Sequence, residues 1–245
     1  MAAAGQPCRL SDIAAALELP KSAAHRLLHE LETLRWVEQR EVEGPYRLTI
    51  RFALLGRRVL DASGLPGLAQ PLLEDLAGRT HELVRLTLLT GSGLAWFATA
   101  QGAPPGLVYS PGFDHPIRLF ATANGKAWLA THDDASALDL ARRDGLGRIR
   151  PTRRSHATEA SLLADLRRVR TRGYALADEE AEPGVCAVAV AIGKDRCPAL
   201  GTLSVAGPSI RVAERTVAFA AELQRTAAEL AAVWPAEIRR EAISA

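Results

Sequence analysis

Residues 10–46 read LSDIAAALELPKSAAHRLLHELETLRWVEQREVEGPY, and this order of helix, break, helix and hairpin decides the fold. The spacing of Ile13, Ala14 and Leu17 predicts a short helix over 11–17 with Ser11 as its N-cap. The break is Glu18-Leu19-Pro20; proline can open the next helix because a first-turn residue has no N–H to spare. A second helix over 21–34 then buries Ala24, Leu27, Leu28, Leu31 and Leu34, leaving Lys21, Ser22, Ala23, His25, Arg26 and His29 outward. Small residues and donors at the start of a helix suit entry into a DNA major groove. There the backbone must come close while a few side chains reach phosphates and base edges. Amphipathic helix pairs also occur in many all-α proteins that bind no nucleic acid, so the pair alone leaves both readings open. The following residues narrow the choice. Trp36 to Arg40 alternate apolar and polar, Glu43-Gly44-Pro45 supplies turn chemistry, and Tyr46-Arg47-Leu48-Thr49 resumes the alternation. Helix, turn, helix, hairpin is the order of a winged helix-turn-helix, which makes Arg40 and Arg47 candidates to touch DNA backbone or minor groove.

These residues also carry a family resemblance. LPKSAAHRLLHELETLRWVE followed by PYRL resembles the signature of the IclR family of bacterial transcription regulators. Arg35 stands where the family usually has a turn glycine, and Thr49 where it has a closing glycine. Upstream, Gly5-Gln6-Pro7 stops any helix begun by Met1-Ala2-Ala3-Ala4. The family has a full apolar helix at this place, so the leading helix is expected to be truncated.

The 245 residues suffice for two domains, and 48% hydrophobic with 24% charged residues is ordinary globular composition. A net charge of +2 gives no broad basic field. Any DNA affinity must therefore come from a few placed donors and from dimerisation. Three cysteines, Cys8, Cys186 and Cys197, lack paired metal spacing and read as thiols of a reducing cytoplasm. No apolar run approaches a membrane span and no signal-peptide pattern is present, so a cytoplasmic protein without membrane attachment is expected.

The expected organisation is a winged helix-turn-helix domain over 1–49, a linker helix over 50–65 and an α+β effector domain over 66–245. The apolar stripe of Ile50, Leu54, Leu55, Val59 and Leu60 fits either a partner subunit or the chain's own domain. Beyond it, helices are predicted over 68–80, 122–130, 135–143, 159–172 and 212–233. Strands are predicted over 82–89, 93–100, 107–110, 117–120, 174–177, 185–192 and 200–206. Strand runs with helices at the start, middle and end imply an antiparallel sheet. The segments FATANGKA, GYALADEEAEPGV and LSVAGP resemble further family segments, so the resemblance spans nearly the whole chain. It implies a GAF-like effector-binding domain, a homo-dimer or tetramer, and repression or activation at operator DNA.

Thr122 as N-cap leaves N–H groups at Ala123, Asn124 and Gly125, either an ordinary cap or a seat for a small anion. The resemblance favours the seat, because the family's small carboxylate effectors lie against the matching turn. Lys126 has a second option, pairing with Asp178, Glu179 or Glu180, although a solvated charge run is the commoner fate of such acids. Anchored on Gly184 and Gly207-Pro208, the family's Asp, Cys and two Ser pocket positions become Ala177, Ala187, Ser204 and Ala206. Asp178 and Cys186 lie one residue away, a slip that turns a strand side chain to the other face. Thr122, Ala123, Asn124, Asp178, Ala187 and Ser204 are the resulting effector-binding candidates. The pocket should be more apolar than one for two- and three-carbon acids, and its ligand a larger or more hydrophobic carboxylate.

An enzyme is disfavoured. Cys186 and Cys197 have no nearby histidine, and His132-Asp133-Asp134 reads as a helix end followed by an N-cap. No phosphate loop, zinc pattern or cofactor motif is present. The competing class is a ligand-sensing domain that acts through protein partners, its DNA-binding half impaired.

Overall fold

The structure is a computed structural model that describes residues 6–41, 43–91, 93–193 and 199–235. Residues 1–5 and Cys197, which figured in the sequence reading, lie outside the described residues. The chain divides into two compact units, 1–62 and 63–245.

The first unit holds α1 (Leu10–Ala16), α2 (Lys21–Thr33), a hairpin of β1 (Val37–Gln39) and β2 (Tyr46–Leu48), and most of α3 (Ile50–Ser63). Helix α1 starts one residue before Ser11, so Arg9 is the N-cap and makes no side-chain cap bond. The Ser11 hydroxyl donates to Asp12 instead. Leu28, Val37 and Tyr46 form the buried cluster, with Leu10, Ile13, Leu31 and Leu48 packed around it. Ala24 is buried as expected, but Leu27 and Leu34 are 53% and 56% exposed. The small hairpin covers only a narrow stripe of α2, so the outer apolar positions of its amphipathic face stay uncovered. The segment before α1 extends the hairpin by a further rung: Cys8 and Tyr46 exchange backbone hydrogen bonds at 3.0 and 2.9 Å.

The two family departures, Arg35 and Thr49, meet in space. Arg35 takes a left-handed φ of 60°, where a Cβ costs roughly 1–2 kcal/mol. The Thr49 hydroxyl donates to the Arg35 carbonyl at 2.7 Å and to that of Trp36 at 3.2 Å, pinning the strained turn. Arg51 continues the tie, donating to the Leu34 carbonyl at 2.5 Å and lying over the Trp36 ring.

In the second unit a five-stranded antiparallel sheet has the order β4-β3-β7-β6-β5. Its strands are β3 (Leu83–Thr90), β4 (Gly93–Gln101), β5 (Ala175–Asp178), β6 (Val185–Ile192) and β7 (Gly201–Pro208). Alternation assigns the faces. Val84, Leu86, Cys186, Val188, Val190, Ile192, Leu203 and Val205 join the large core under α4 (Leu65–Thr80) and α9 (Thr216–Val233). On the opposite face Ala175, Ala177, Ala187 and Ala189 meet α5 (Ala123–Leu129), and alanines let that helix approach closely. A Cβ at Gly125 would fall 2.4 Å from the Leu119 Cα, so glycine is required there. Behind α5 lie α6 (Asp134–Arg143) and α7 (Glu159–Arg172), sharing a cluster that includes Leu129, Ala137, Ala141, Leu162 and Leu166.

Three further expectations are corrected. The segments over 107–110 and 117–120 are loop, because side chains satisfy carbonyls in the stretch that follows β4. Gln101 donates to the Tyr109 carbonyl, Arg85 to that of Gly112 and Trp96 to that of His115. The C-terminal helix is not continuous from Val212: α8 (Ser209–Val212) and a 3-10 turn (Ala213–Arg215) precede α9. Helix α4 begins at Leu65 and carries Pro71 inside it.

Candidate functional site

On α2 the candidate reading face is open. Lys21, Ser22, His25 and Arg26 are exposed and Ala23 is half-buried. Pro20 caps the helix without a side-chain bond, and no acidic residue lies in the first turn. Donors near a helix start, with no acid to repel phosphate, are what groove entry requires. The hairpin is less free. Arg40 pairs with Glu38 at 3.1 Å, and Arg47 stands directly across the ladder from Glu38.

A second candidate site is a pocket on the α5 face of the sheet. Thr122, Ala123 and Asn124 line one part of it; Ala177, Ala187, Ser204 and Ala206 form the strand wall. Asp178 is corrected: it does not line the pocket. Alternation along β5 turns it away from Ala177, and its carboxylate accepts from Arg154 at 2.5 Å. Cys186 lies on that same far face, fully buried, with its thiol pushed up to about 12 by burial. A thiol so shifted stays protonated and poorly nucleophilic at neutral pH.

The cap at Thr122 is occupied locally, since its hydroxyl accepts from the Gly125 N–H at 3.1 Å and donates to the Arg118 carbonyl. Asn124 donates to Thr202 at 2.9 Å, and Thr202 lies 2.6 Å from Thr87. That buried chain of polar groups locks α5 to the sheet. Asn124 is thus fixed by the fold as well as facing the pocket.

Sequence reasoning missed Arg85, Trp96, Tyr109, His115 and Glu182, which line the rest of the pocket together with Ala181 and Val185. Arg85 stacks on Trp96, 3.4 Å from the ring centroid. Tyr109 donates to Glu182 at 3.1 Å; burial first, then the Glu182 charge, raises its pKa. A charged residue inside an apolar strand was the available signal for Arg85.

Further along α5, Lys126 is fully buried and donates to Asp165 and Glu180, each at 2.7 Å. Pairing with Glu180 was one of the options in the sequence; Asp165 was not foreseen. The remaining acids of that run, Asp178 and Glu179, face Arg154. His156 adds contacts to Asp165 and Glu180 at 3.3 and 3.4 Å. Burial opposes ionisation of Asp165, but the His156 hydrogen bond and the Lys126 charge outweigh it and hold the carboxyl low. Burial raises Glu180. His156, Asp165 and Glu180 are close enough to hold a metal ion, yet the Lys126 ammonium already bonds both carboxylates. The cluster is an internal ion-pair network. Likewise His132-Asp133-Asp134 is a helix end and a cap, with Asp133 accepting from the Ser136 N–H.

An exposed helix-turn-helix face and a pocket-bearing α+β unit in one chain are the parts that a ligand-responsive transcription regulator needs. Comparison with known proteins specifies the family. Residues 57–232 match the Bacterial transcriptional regulator IclR C-terminal profile, and residues 1–41 match the IclR helix-turn-helix domain. The chain belongs to the IclR family of DNA-binding transcription regulators, which are not enzymes. It is 28% identical to the HTH-type transcriptional regulator XynR of Escherichia coli (strain K12), covering 89% of this chain and 85% of XynR. A crystal structure of an IclR regulator from Silicibacter sp. TM1040 is 26% identical, with a TM-score of 0.78 over 94% of this chain and 91% of that one. An IclR homologue from Microbacterium hydrocarbonoxydans, crystallised in complex with 4-hydroxybenzoate, shares the fold at 22% identity. Its TM-score is 0.67, over 98% of this chain and 92% of that one. Among the described residues, no helix is long and apolar enough to cross a membrane.

Proposed function

We propose that this regulator binds operator DNA through Lys21, Ser22, Ala23, His25 and Arg26, with Arg40 and Arg47 assisting from the wing. Its operator affinity is set by a small carboxylate bound against Thr122, Ala123, Asn124, Ala187 and Ser204. The observation that carries the DNA half is the exposed, acid-free start of α2. Arg26 and Lys21 anchor phosphates or base edges, while the smaller residues set register. For the effector half, the alanine-rich strand wall supports an acid larger or more apolar than glyoxylate or pyruvate. A relative of the same fold that holds 4-hydroxybenzoate agrees with an organic acid of this kind.

Control is by linkage: an acid that binds one arrangement of two DNA heads better than another shifts operator affinity by that difference. Two heads require a dimer or tetramer. The apolar residues of α3, none of them buried, supply a surface for a second copy. The experiment is a gel shift on the DNA upstream of the protein's own gene, with a panel of carboxylates added. A shift modulated by acids larger than pyruvate is expected. If only glyoxylate- and pyruvate-sized acids act, the apolar-pocket reading is wrong.

A further inference from the structure

Two cations are buried among the described residues, and the fold treats them oppositely. Lys126 has two carboxylates. Arg85, 4% exposed, makes no ion pair with a carboxylate and a single hydrogen bond among the described residues, the titratable neighbour that acts on it being the Tyr109 phenol. Its guanidinium donates to the Gly112 carbonyl at 3.1 Å and otherwise meets rings, Trp96 at 3.4 Å and Phe113 at 5.9 Å. Burial lowers its pKa only to about 10, so it stays charged at neutral pH. A buried, unpaired charge is costly to a fold. Here the charge lines a pocket, where an incoming anion can complete it.

We propose that Arg85 is the carboxylate anchor of this pocket and the residue that selects planar monocarboxylic acids. The proposal rests on the reading of the pocket as the effector site. Stacking on Trp96 restrains the plane of the guanidinium, and a restrained fork matches the two oxygens of a carboxylate. Ala177, Ala187 and Ala206 offer the body of the acid an apolar wall, and Trp96, Tyr109 and His115 offer flat faces. Glu182, held by Tyr109, puts a negative charge in the same lining and repels a second carboxylate. Arg85 reaches this face because it sits between Val84 and Leu86, whose side chains go to the opposite core. One residue of slip would bury it under α4 and α9.

The test uses the full chain with benzoate, its neutral isostere benzamide, and terephthalate, measured by titration calorimetry. The wild-type chain is expected to bind benzoate at least about tenfold more tightly than benzamide, the scale of one charge-assisted pair, and more tightly than terephthalate. Arg85→Gln should erase the benzoate–benzamide difference, and Arg85→Lys should keep part of it. Ala187→Leu, which fills the pocket, should abolish benzoate binding. Benzoate binding lost in Ala187→Leu but undiminished in Arg85→Gln overturns the anchor and leaves the pocket reading standing. Binding unchanged in Ala187→Leu overturns both. Should Arg85→Gln fail to fold by circular dichroism, Arg85→Lys and the wild-type comparison decide. Equal wild-type affinity for benzoate and benzamide, or no binding of any of the three, overturns the proposal.

Discussion

The head over 1–62 and the unit over 63–245 dispose of their apolar residues in opposite ways. In the second unit the sheet has α4 and α9 on one face and α5 on the other, and Leu65, Leu73, Leu76, Leu86, Leu203 and Leu230 are completely buried. In the head, Leu28, Val37 and Tyr46 make the buried cluster, while Leu17, Leu27, Leu34, Ile50, Leu54, Leu55 and Val59 stand in the open. Similar side chains do different work. In one unit they hold the fold; in the other they hold a small scaffold and leave apolar surface uncovered.

This contrast can be broken at several points. The largest effect is expected at Lys126. Removing the shared cation leaves two buried carboxylates facing each other, and breaking such a pair costs about 3–5 kcal/mol. Lys126→Met should lower the urea midpoint of the second unit while hydrogen exchange in α2 stays as in the wild-type chain. Equal loss of protection in both units would mean that the head has no separate stability. Next is Leu28→Ala, for which a buried leucine predicts a loss of about 2–3 kcal/mol, toward the low end because the thin core can relax. Exchange in α1, α2 and the hairpin should accelerate, with the sheet unmoved; acceleration in β7 would contradict the division. The smallest effect runs the other way. Arg35→Gly relieves the left-handed turn and should stabilise the head by up to about 1 kcal/mol, read as slower exchange across α2. Faster exchange would show that the arginine side chain contributes more than its backbone strain costs.

Alternation and small-residue content made much of the second unit legible. In the VCAVAVAI run, Cys186, Val188, Val190 and Ile192 mark the deep core, while Ala187 and Ala189 lie on the face that admits α5, so Ala187 could be assigned to a side before any coordinates. The same parity argued against Asp178, which nevertheless stood among the candidates and turned out to face Arg154. What escaped depends on contacts distant in sequence. Tyr109 and His115 reach the pocket on a loop whose carbonyls are held by side chains of β3 and β4, and no local pattern encodes that. Asp165 left a trace: it lies on the stripe of Leu162, Leu166 and Val169, where an acid demands a buried partner. In the head, the exposure of Leu27 and Leu34 was hidden because periodicity reports an apolar face without reporting what covers it.

The central claim is that α2 reads DNA while the second unit senses an acid, and Arg26→Ala tests it most directly. Fluorescence anisotropy with the DNA upstream of the protein's own gene should show about tenfold or greater loss of affinity, with thermal stability and carboxylate binding equal to wild type. Operator affinity unchanged by the substitution, or lost together with carboxylate binding, would contradict the account.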